Sequence, residues 1–586
     1  MTYQAPLDDI RFTLHRVVGV ADVLPEGIDA SDVDAILEEA GKFAGNVIAP
    51  LNWPGDRHGA VLENGVVRTA PGFRDAYHAF VEGGWNSVGG DPEFGGQGLP
   101  IAISAALSEL WNSGSMAFAL CPLLNAGAIE CLERHGSPAQ KEKYLAKMIE
   151  GSWTGTMNLT EPQAGSDLAA VRAKAVPAEN GLYRITGQKI FITYGDHDYT
   201  DNIIHLVLAR LPDAPPGVKG ISLFVVPKVM VNDDGSLGAK NDLRCVGLEH
   251  KLGIHASPTA VMAYGDTEGA LGELIGEANR GLEYMFVMMN NARLNVGVQG
   301  IGIAERAYQH AVAYARTRTQ GKPLPGGQAQ TILGHPDVKR MLLLSKVKIE
   351  AARGLALEAA AVLDRAHKGI DGAQARGDLL IPIVKSWATD LGVSVASTGV
   401  QVHGGMGFIE ETGAAQHLRD ARIAPIYEGT NGIQAADLVG RKLLRDGGAA
   451  MTALIADIDA TLATLKTQPG DDLAVVAANL TDGKAALREA TDWLLLAAKE
   501  DMRLPFAASA AYLDLAGVVA GGWMLARAAL AAQADLAQGG GNAPFLEAKL
   551  ITARLFAEHE LVRAGGLLAS IRSGSKSLLA YDEALL

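Results

Sequence analysis

The sequence predicts a mainly α-helical protein with a central β domain and a further helical region towards its C-terminal end. Two observations carry this expectation. Apolar residues recur at helical spacing on both sides of residues 155–278, whereas inside that interval they form short β-branched runs or alternate with polar residues. In addition, 586 residues with 48% hydrophobic and 20% charged side chains suffice for several domains, each burying its own core.

Residues 1–154 are expected to form a helical domain, with Val33, Ile36, Leu37 and Ala40 on one helix face. The Gly-rich stretch Gly89–Gly98 interrupts it and reads as a loop, because no strand-to-helix unit frames it as a phosphate cradle would require. Residues 155–278 form the β domain. There Tyr183, Ile185, Ile190 and Ile192 alternate with polar residues, and 203–208 and 221–226 are β-branched runs bounded by turn formers. Residues 279–446 return to helical spacing, as in Met341–Leu363 and Leu379–Thr398, and four long helices would make a bundle around their apolar faces. The stretch Pro323-Leu324-Pro325-Gly326-Gly327 breaks the first pair. After Gly447-Gly448, residues 447–586 are Ala- and Leu-rich and helical again, interrupted at Gly539–Pro544.

The net charge of −15 argues against a general binder of phosphate backbones, so no nucleic-acid partner is expected. Cys121, Cys131 and Cys245 are odd in number and contain no close pair of the kind that holds zinc, which points to buried small side chains and no metal site. Met1–Leu14 already carries Asp8, Asp9 and Arg11 and lacks the apolar core of a signal peptide. The apolar run 515–526 is bounded by Asp514 and Arg527 and, at about a dozen residues, is too short to span a bilayer. A cytoplasmic protein with no membrane segment is expected.

The most informative segment is Pro425–Gln434, where Tyr427-Glu428-Gly429-Thr430 sets one carboxylate in a largely uncharged run. Burial raises a Glu pKa above its ordinary value of about 4.3, towards the range where the carboxylate accepts a proton at neutral pH, so Glu428 is a candidate general base. The same residues also read as a capped helix start, with Thr430-Asn431-Gly432 as the cap.

Gln401-Val402-His403-Gly404-Gly405-Met406-Gly407-Phe408, Leu418-Arg419-Asp420-Ala421-Arg422 and the Glu428 segment follow one another in the order seen in acyl-CoA dehydrogenases, and Met157–Asp167 resembles the flavin loop of that family. The resemblance covers roughly residues 30 to 445. It implies the acyl-CoA dehydrogenase fold of helical N-terminal domain, β domain and four-helix bundle, to which 447–586 adds the extra C-terminal helical domain of a larger subgroup. It also implies FAD and α,β-dehydrogenation of a short acyl-CoA thioester. Glu428 would remove the Cα proton, the Cβ hydride would pass to flavin, and the Glu428 backbone N–H would help to polarise the thioester carbonyl.

Further roles follow from the same resemblance. Met157, Leu159, Thr160, Gly165 and Ser166 would contact the flavin, with Phe191, Ile192 and Thr193 as its second wall; the family often has Trp where Phe191 stands, so an indole N–H is lost. Thr160 and Ser166 also read as ordinary turn or cap residues. Arg318 resembles the arginine that reaches the FAD pyrophosphate of a neighbouring subunit, although the spacing leaves Arg316, or a solvated helix end, open. Gln401, Gly404 and Gly405 would approach the ADP portion of a partner's cofactor, and Thr430 is counted with the cofactor contacts.

Substrate contacts are expected from Ser166, Tyr427, Gly429, Arg293 and Arg441; Arg293 reads equally as an inter-helix ion pair and Arg441 as solvent-facing. The resemblance further implies a homodimer or dimer of dimers and electron-transferring flavoprotein as electron acceptor. Two alternatives share the fold. An acyl-CoA oxidase would pass electrons to oxygen, but Glu583–Leu586 is not a Ser-Lys-Leu address. A flavin-containing DNA-protection protein needs a basic C-terminal surface, and acidic residues outnumber basic ones beyond residue 446.

Overall fold

Side-chain caps begin two of the N-terminal helices. The computed structural model describes residues 3–322 and 330–586, so the expected break at Pro323–Gly327 lies outside the described residues. The first part comprises α1 (Leu7–Phe12), α2 (Ala30–Phe43), α3 (Ala49–His58), α4 (Phe73–Glu82), α5 (Ile101–His135) and α6 (Pro138–Glu150). The Asp29 carboxylate accepts from the Ser31 and Asp32 N–H groups while Asp32 accepts from the Asp29 N–H, and Ser137 and Gln140 make the equivalent reciprocal cap on α6. One feature differs from the helical expectation for this region. Val61–Glu63 (β1) and Val66–Arg68 (β2) form a hairpin turned by Asn64 and Gly65, both at positive φ (51° and 76°).

The central domain contains β3 (Trp153–Asn158), β4 (Lys174–Pro177), β5 (Tyr183–Thr193), β6 (Asn202–Ala209), β7 (Ser222–Pro227), β8 (Val229–Val231), β9 (Leu237–Lys240), β10 (Leu243–Leu248), β11 (Thr259–Tyr264) and β12 (Ala270–Ile275). The main sheet runs β10-β11-β5-β12-β7-β6-β3 with β4 on β5, and β8 pairs with β9 separately. Every residue of β6 and β7 is buried, which accounts for apolar residues on both faces of each strand, whereas β11 alternates between buried and half-buried positions. The end of β3, where the Met157–Asp167 segment begins, pairs with β6 in parallel.

Three long helices follow: α7 (Gly281–Thr317), α8 (Pro336–His367) and α9 (Ala373–His403), of 37, 32 and 31 residues. The fourth place is not a long helix. It is divided into α10 (Ala414–Ala421), which packs on α7 and α9, and α11 (Asn431–Val439), which packs on α9, with the Glu428 loop between them. Helices α7 and α9 approach closely because glycine leaves room for backbone: a Cβ on Gly300 would lie 2.4 Å from the Ala388 carbonyl oxygen.

The C-terminal part contains α12 (Ala449–Leu465), α13 (Asp471–Glu500), α14 (Arg503–Ala507), α15 (Ser509–Ala537), α16 (Ala543–His559), α17 (Ala564–Ala569) and α18 (Ser575–Ala580). It is not a separate body, because α15 packs on α8, α9 and α11 and one apolar core runs through the N-terminal helices, the bundle and this part. Trp387 of α9 fits a notch in α15, where a Cβ on Gly517 or Gly521 would come within 2.4 or 2.6 Å of its indole. Lys549 of α16 pairs with Glu350 of α8 (2.9 Å) and with Asp9 of α1.

Among the described residues, the helices Ile101–His135 and Ser509–Ala537 and the continuous helical segment Ala373–Phe408 are long and apolar enough, by length and composition alone, to cross a membrane; 83% of each apolar window is buried inside the fold. The apolar run 515–526 therefore belongs to a helix of 29 residues. Its bounding charges do not end that helix: Arg527 reaches Glu358 (2.9 Å) and Asp514 reaches Arg563 (2.8 Å).

Candidate active site

Glu428 is presented by a loop fixed at both ends. The Ile426 and Tyr427 N–H groups donate to the Ile423 carbonyl (2.8 and 3.1 Å), and the Asn431 N–H donates to that of Pro425 (3.0 Å). Thr430 caps α11 by accepting from the Ile433 N–H at 3.1 Å. Glu428 and Gly429 both take left-handed backbone, φ 54° and 79°, which for a non-glycine residue costs about 1–3 kcal/mol and persists only where the surroundings impose it. Here they do. Gln434 sits under the turn, donating to the Glu428 and Gly429 carbonyls at 3.4 and 3.3 Å, and a Cβ on Gly429 would come within 2.7 Å of its amide nitrogen. Tyr427 turns into the bundle and its hydroxyl donates to buried Gln299 of α7 at 2.5 Å. Among the described residues, the Glu428 N–H donates to no other group.

The Glu428 carboxyl keeps part of its surface accessible, yet loss of surrounding water pushes its pKa up to about 7, with Arg293 and Lys385 opposing the rise. Arg293 is buried on α7, 3.7 Å from Asp437 and 3.4 Å from Asn290, and its Nη2 lies 3.8 Å from where a Gly429 Cβ would be. It thus makes the inter-helix ion pair and also adjoins the base loop. Arg441 is exposed, 3.5 Å from the other Asp437 oxygen, with its guanidinium over the Phe286 ring. Lys385 of α9 was not among the residues singled out from sequence. It is fully buried, its ammonium donates to Asn431 Oδ1 at 2.9 Å, and burial brings its pKa down to about 8. A single lysine inside the apolar run Leu379–Trp387 is the signal that could have found it.

The second group of residues gathers where β3 and β5 end. Met157 and Thr160 are half-buried and Leu159 is buried, while Gly165 and Ser166 stand exposed just beyond the turn that Glu161 and Ala164 close. The Ile190 N–H donates to the Thr160 carbonyl (2.9 Å), and Thr156 Oγ1 donates to that of Thr193 (2.8 Å). Lys189, fully buried, donates to the Leu159 carbonyl (3.0 Å) and to the Glu161 carboxylate (2.8 Å); that carboxylate also accepts from the Arg172 and Ala173 N–H groups. Ile192 is buried and Thr193 half-buried, but Phe191 is 58% exposed on left-handed backbone (φ 59°). An aromatic face held out next to the strand residue that bonds Thr160 fits a flat, apolar ring system with a polar edge, so these residues fit a flavin.

Arg318, Gln401, Gly404 and Gly405 are exposed where α7 and α9 end. Arg318 lies just beyond the last residue of α7, its N–H bonded to the Tyr314 carbonyl, and Arg316 is exposed in the last turn. No atom lies within 4 Å of a Cβ built on Gly165, Gly404 or Gly405, leaving open backbone at each.

Family models match in the order of these elements: Acyl-CoA dehydrogenase, N-terminal domain over residues 31–152, middle domain over 156–266 and C-terminal domain over 279–444, then Acetyl-CoA dehydrogenase C-terminal like over 454–582. The chain belongs to the acyl-CoA dehydrogenase family, and it is an FAD-dependent oxidoreductase that dehydrogenates acyl-CoA thioesters. It is 50% identical to 3-methylmercaptopropionyl-CoA dehydrogenase of Ruegeria pomeroyi over 99% of both chains. It is 35% identical to a butyryl-CoA dehydrogenase of Syntrophomonas wolfei over 95% of this chain and 93% of that one. A solved acyl-CoA dehydrogenase of Bacillus anthracis, complexed with FAD, shares the fold at 20% identity with a TM-score of 0.75, covering 96% of this chain and 91% of that chain.

Proposed function

We propose that the chain oxidises 3-methylmercaptopropionyl-CoA to methylthioacryloyl-CoA, with Glu428 as the base that removes the Cα proton. The observation that carries the chemistry is the held, strained presentation of Glu428. Its carboxyl is partly accessible, lifted to about 7 by burial and flanked by cationic side chains that limit the rise. FAD, when bound, supplies the electron acceptor for the Cβ hydride. Met157, Leu159, Thr160, Phe191, Ile192 and Thr193 would hold its ring system, and Arg318, Gln401, Gly404 and Gly405, exposed on this chain, would reach the cofactor of a second copy in a homodimer or dimer of dimers.

The Glu428 N–H, without a partner among the described residues, would donate to the thioester carbonyl and stabilise the enolate-like charge that develops as the proton leaves. The thioether substrate is carried by the full-length likeness to the Ruegeria enzyme. Electron-transferring flavoprotein as acceptor, and a cytoplasmic location, complete the reading.

The test is anaerobic flavin bleaching across a panel of acyl-CoAs. We expect the highest kcat/KM with 3-methylmercaptopropionyl-CoA; a butyryl-CoA value ten times higher would replace the thioether substrate with a plain acyl chain. Oxygen uptake without added flavoprotein, at the rate of flavin reduction, would replace the acceptor.

A further inference from the structure

A fully buried ammonium whose hydrogen-bond partner is neutral is costly, and buried charges are as a rule paired with an opposite charge. Lys385 is such a group. Its only hydrogen-bond partner among the described residues is Asn431 Oδ1, at 2.9 Å. Asn431 is the first residue of α11, its N–H closes the Glu428 loop onto the Pro425 carbonyl at 3.0 Å, and its amide donates to Ser386 (3.2 Å) and Thr389 (3.1 Å) of α9. The base loop is therefore tied by one side chain to the helix that carries Lys385.

On the reading that Glu428 is the base, we propose that Lys385 is its positioning residue: through Asn431 it fixes the loop that presents the carboxylate, and it holds a positive charge against that loop. No reacting atom is bonded to Lys385; it acts through Asn431 and through its field. The charged groups facing this pair are few. Arg293 faces Glu428 from α7 and Tyr427 adjoins it on the loop, while Asp390 and Arg293 act on Lys385 besides Glu428 itself. Burial lowers the lysine and raises the glutamate, and the charge of each opposes the shift of the other.

Lys385→Gln separates the two effects, because the amide can still donate to Asn431 but carries no charge; Lys385→Met removes both. The reporter is the rate of anaerobic flavin reduction by an acyl-CoA against pH, in FAD-loaded protein. Loss of a neighbouring cation disfavours the ionised carboxylate, so the acid limb of kcat/KM moves to higher pH in both variants, by about one unit or more. Lys385→Met also lowers the rate on its plateau. Asn431→Ala, which leaves the lysine in place, lowers the plateau about tenfold or more with a smaller shift of the limb.

An acid limb unmoved in both lysine variants would overturn the charge role. A wild-type plateau in Asn431→Ala would overturn the positioning role, and that variant decides the matter alone if the lysine variants do not fold. Glu428→Gln run alongside keeps the two readings apart. A Glu428→Gln enzyme that still reduces flavin removes the base itself, whereas an inactive one beside wild-type lysine variants removes only Lys385.

Discussion

Lys189 and Glu161 form a buried ion pair, 2.8 Å between charges, that joins the two segments expected to face the flavin. Lys189 also holds the Leu159 carbonyl, and Phe191 follows it on β5, so one ammonium spans both walls. Removing one partner of such a pair strands the other charge and destabilises by about 3–5 kcal/mol. We expect Lys189→Met to lower the melting temperature and release FAD at dilute protein concentration. Thermal denaturation with flavin fluorescence checks this, and wild-type values on both would dissociate the pair from the flavin segments.

Glu428→Gln keeps nearly the same size and the same loop but cannot take a proton. FAD content and acyl-CoA binding should persist while flavin reduction falls by roughly 1,000-fold or more, towards the upper end of general-base contributions. A loss smaller than tenfold in stopped-flow reduction with saturating acyl-CoA would show that another group is the base.

The pH dependence follows from the direction of the Glu428 shift. Burial raises its pKa to about 7, so below that pH the carboxyl holds its proton and is inactive, and above it the carboxylate is available. Log kcat/KM should therefore rise with pH and level off above about 7, since that parameter reports the free enzyme. A profile already flat from pH 5 upwards would contradict the burial argument.

Arg318→Ala should weaken FAD retention without affecting the fold of the chain, because the side chain is exposed just beyond α7 and makes no ion pair among the described residues. A charge-assisted contact to a pyrophosphate supplied across an interface weakens on dilution. Flavin content measured over a dilution series checks this; an unchanged content at the lowest concentration would assign the contact elsewhere, with Arg316 next to examine.

Legibility in the sequence followed the range of the interactions. The order of helical, β and helical parts could be read because burial writes a local pattern, alternating in β11 and continuous in the fully buried β6 and β7. The turn that carries Glu428, with its Thr430 cap, could be read because it is written in adjacent residues. Lys385 shows in the sequence only as a lone lysine in an apolar run, and its partner, like those of Gln299 and Lys189, is set by packing between elements far apart in the chain. The β1–β2 hairpin had its signal in Asn64-Gly65, hidden within a stretch whose wider pattern is helical. The division of the fourth bundle helix is a compromise between burial and exposure: a continuous helix would have no left-handed turn on which to display a carboxylate.

The notch that α15 offers to Trp387 makes the C-terminal part non-modular. Trp387 follows Lys385 on α9, so the helix bearing the buried ammonium is wedged from behind by residues far along the chain. A protein ended after residue 446 would turn an indole and the faces of α8, α9 and α11 towards water, and its first lesion would be at the electrostatics of the base rather than at a distant appendage. Designers who shorten this enzyme would have to rebuild that wall before they could ask whether the shortened chain still turns over.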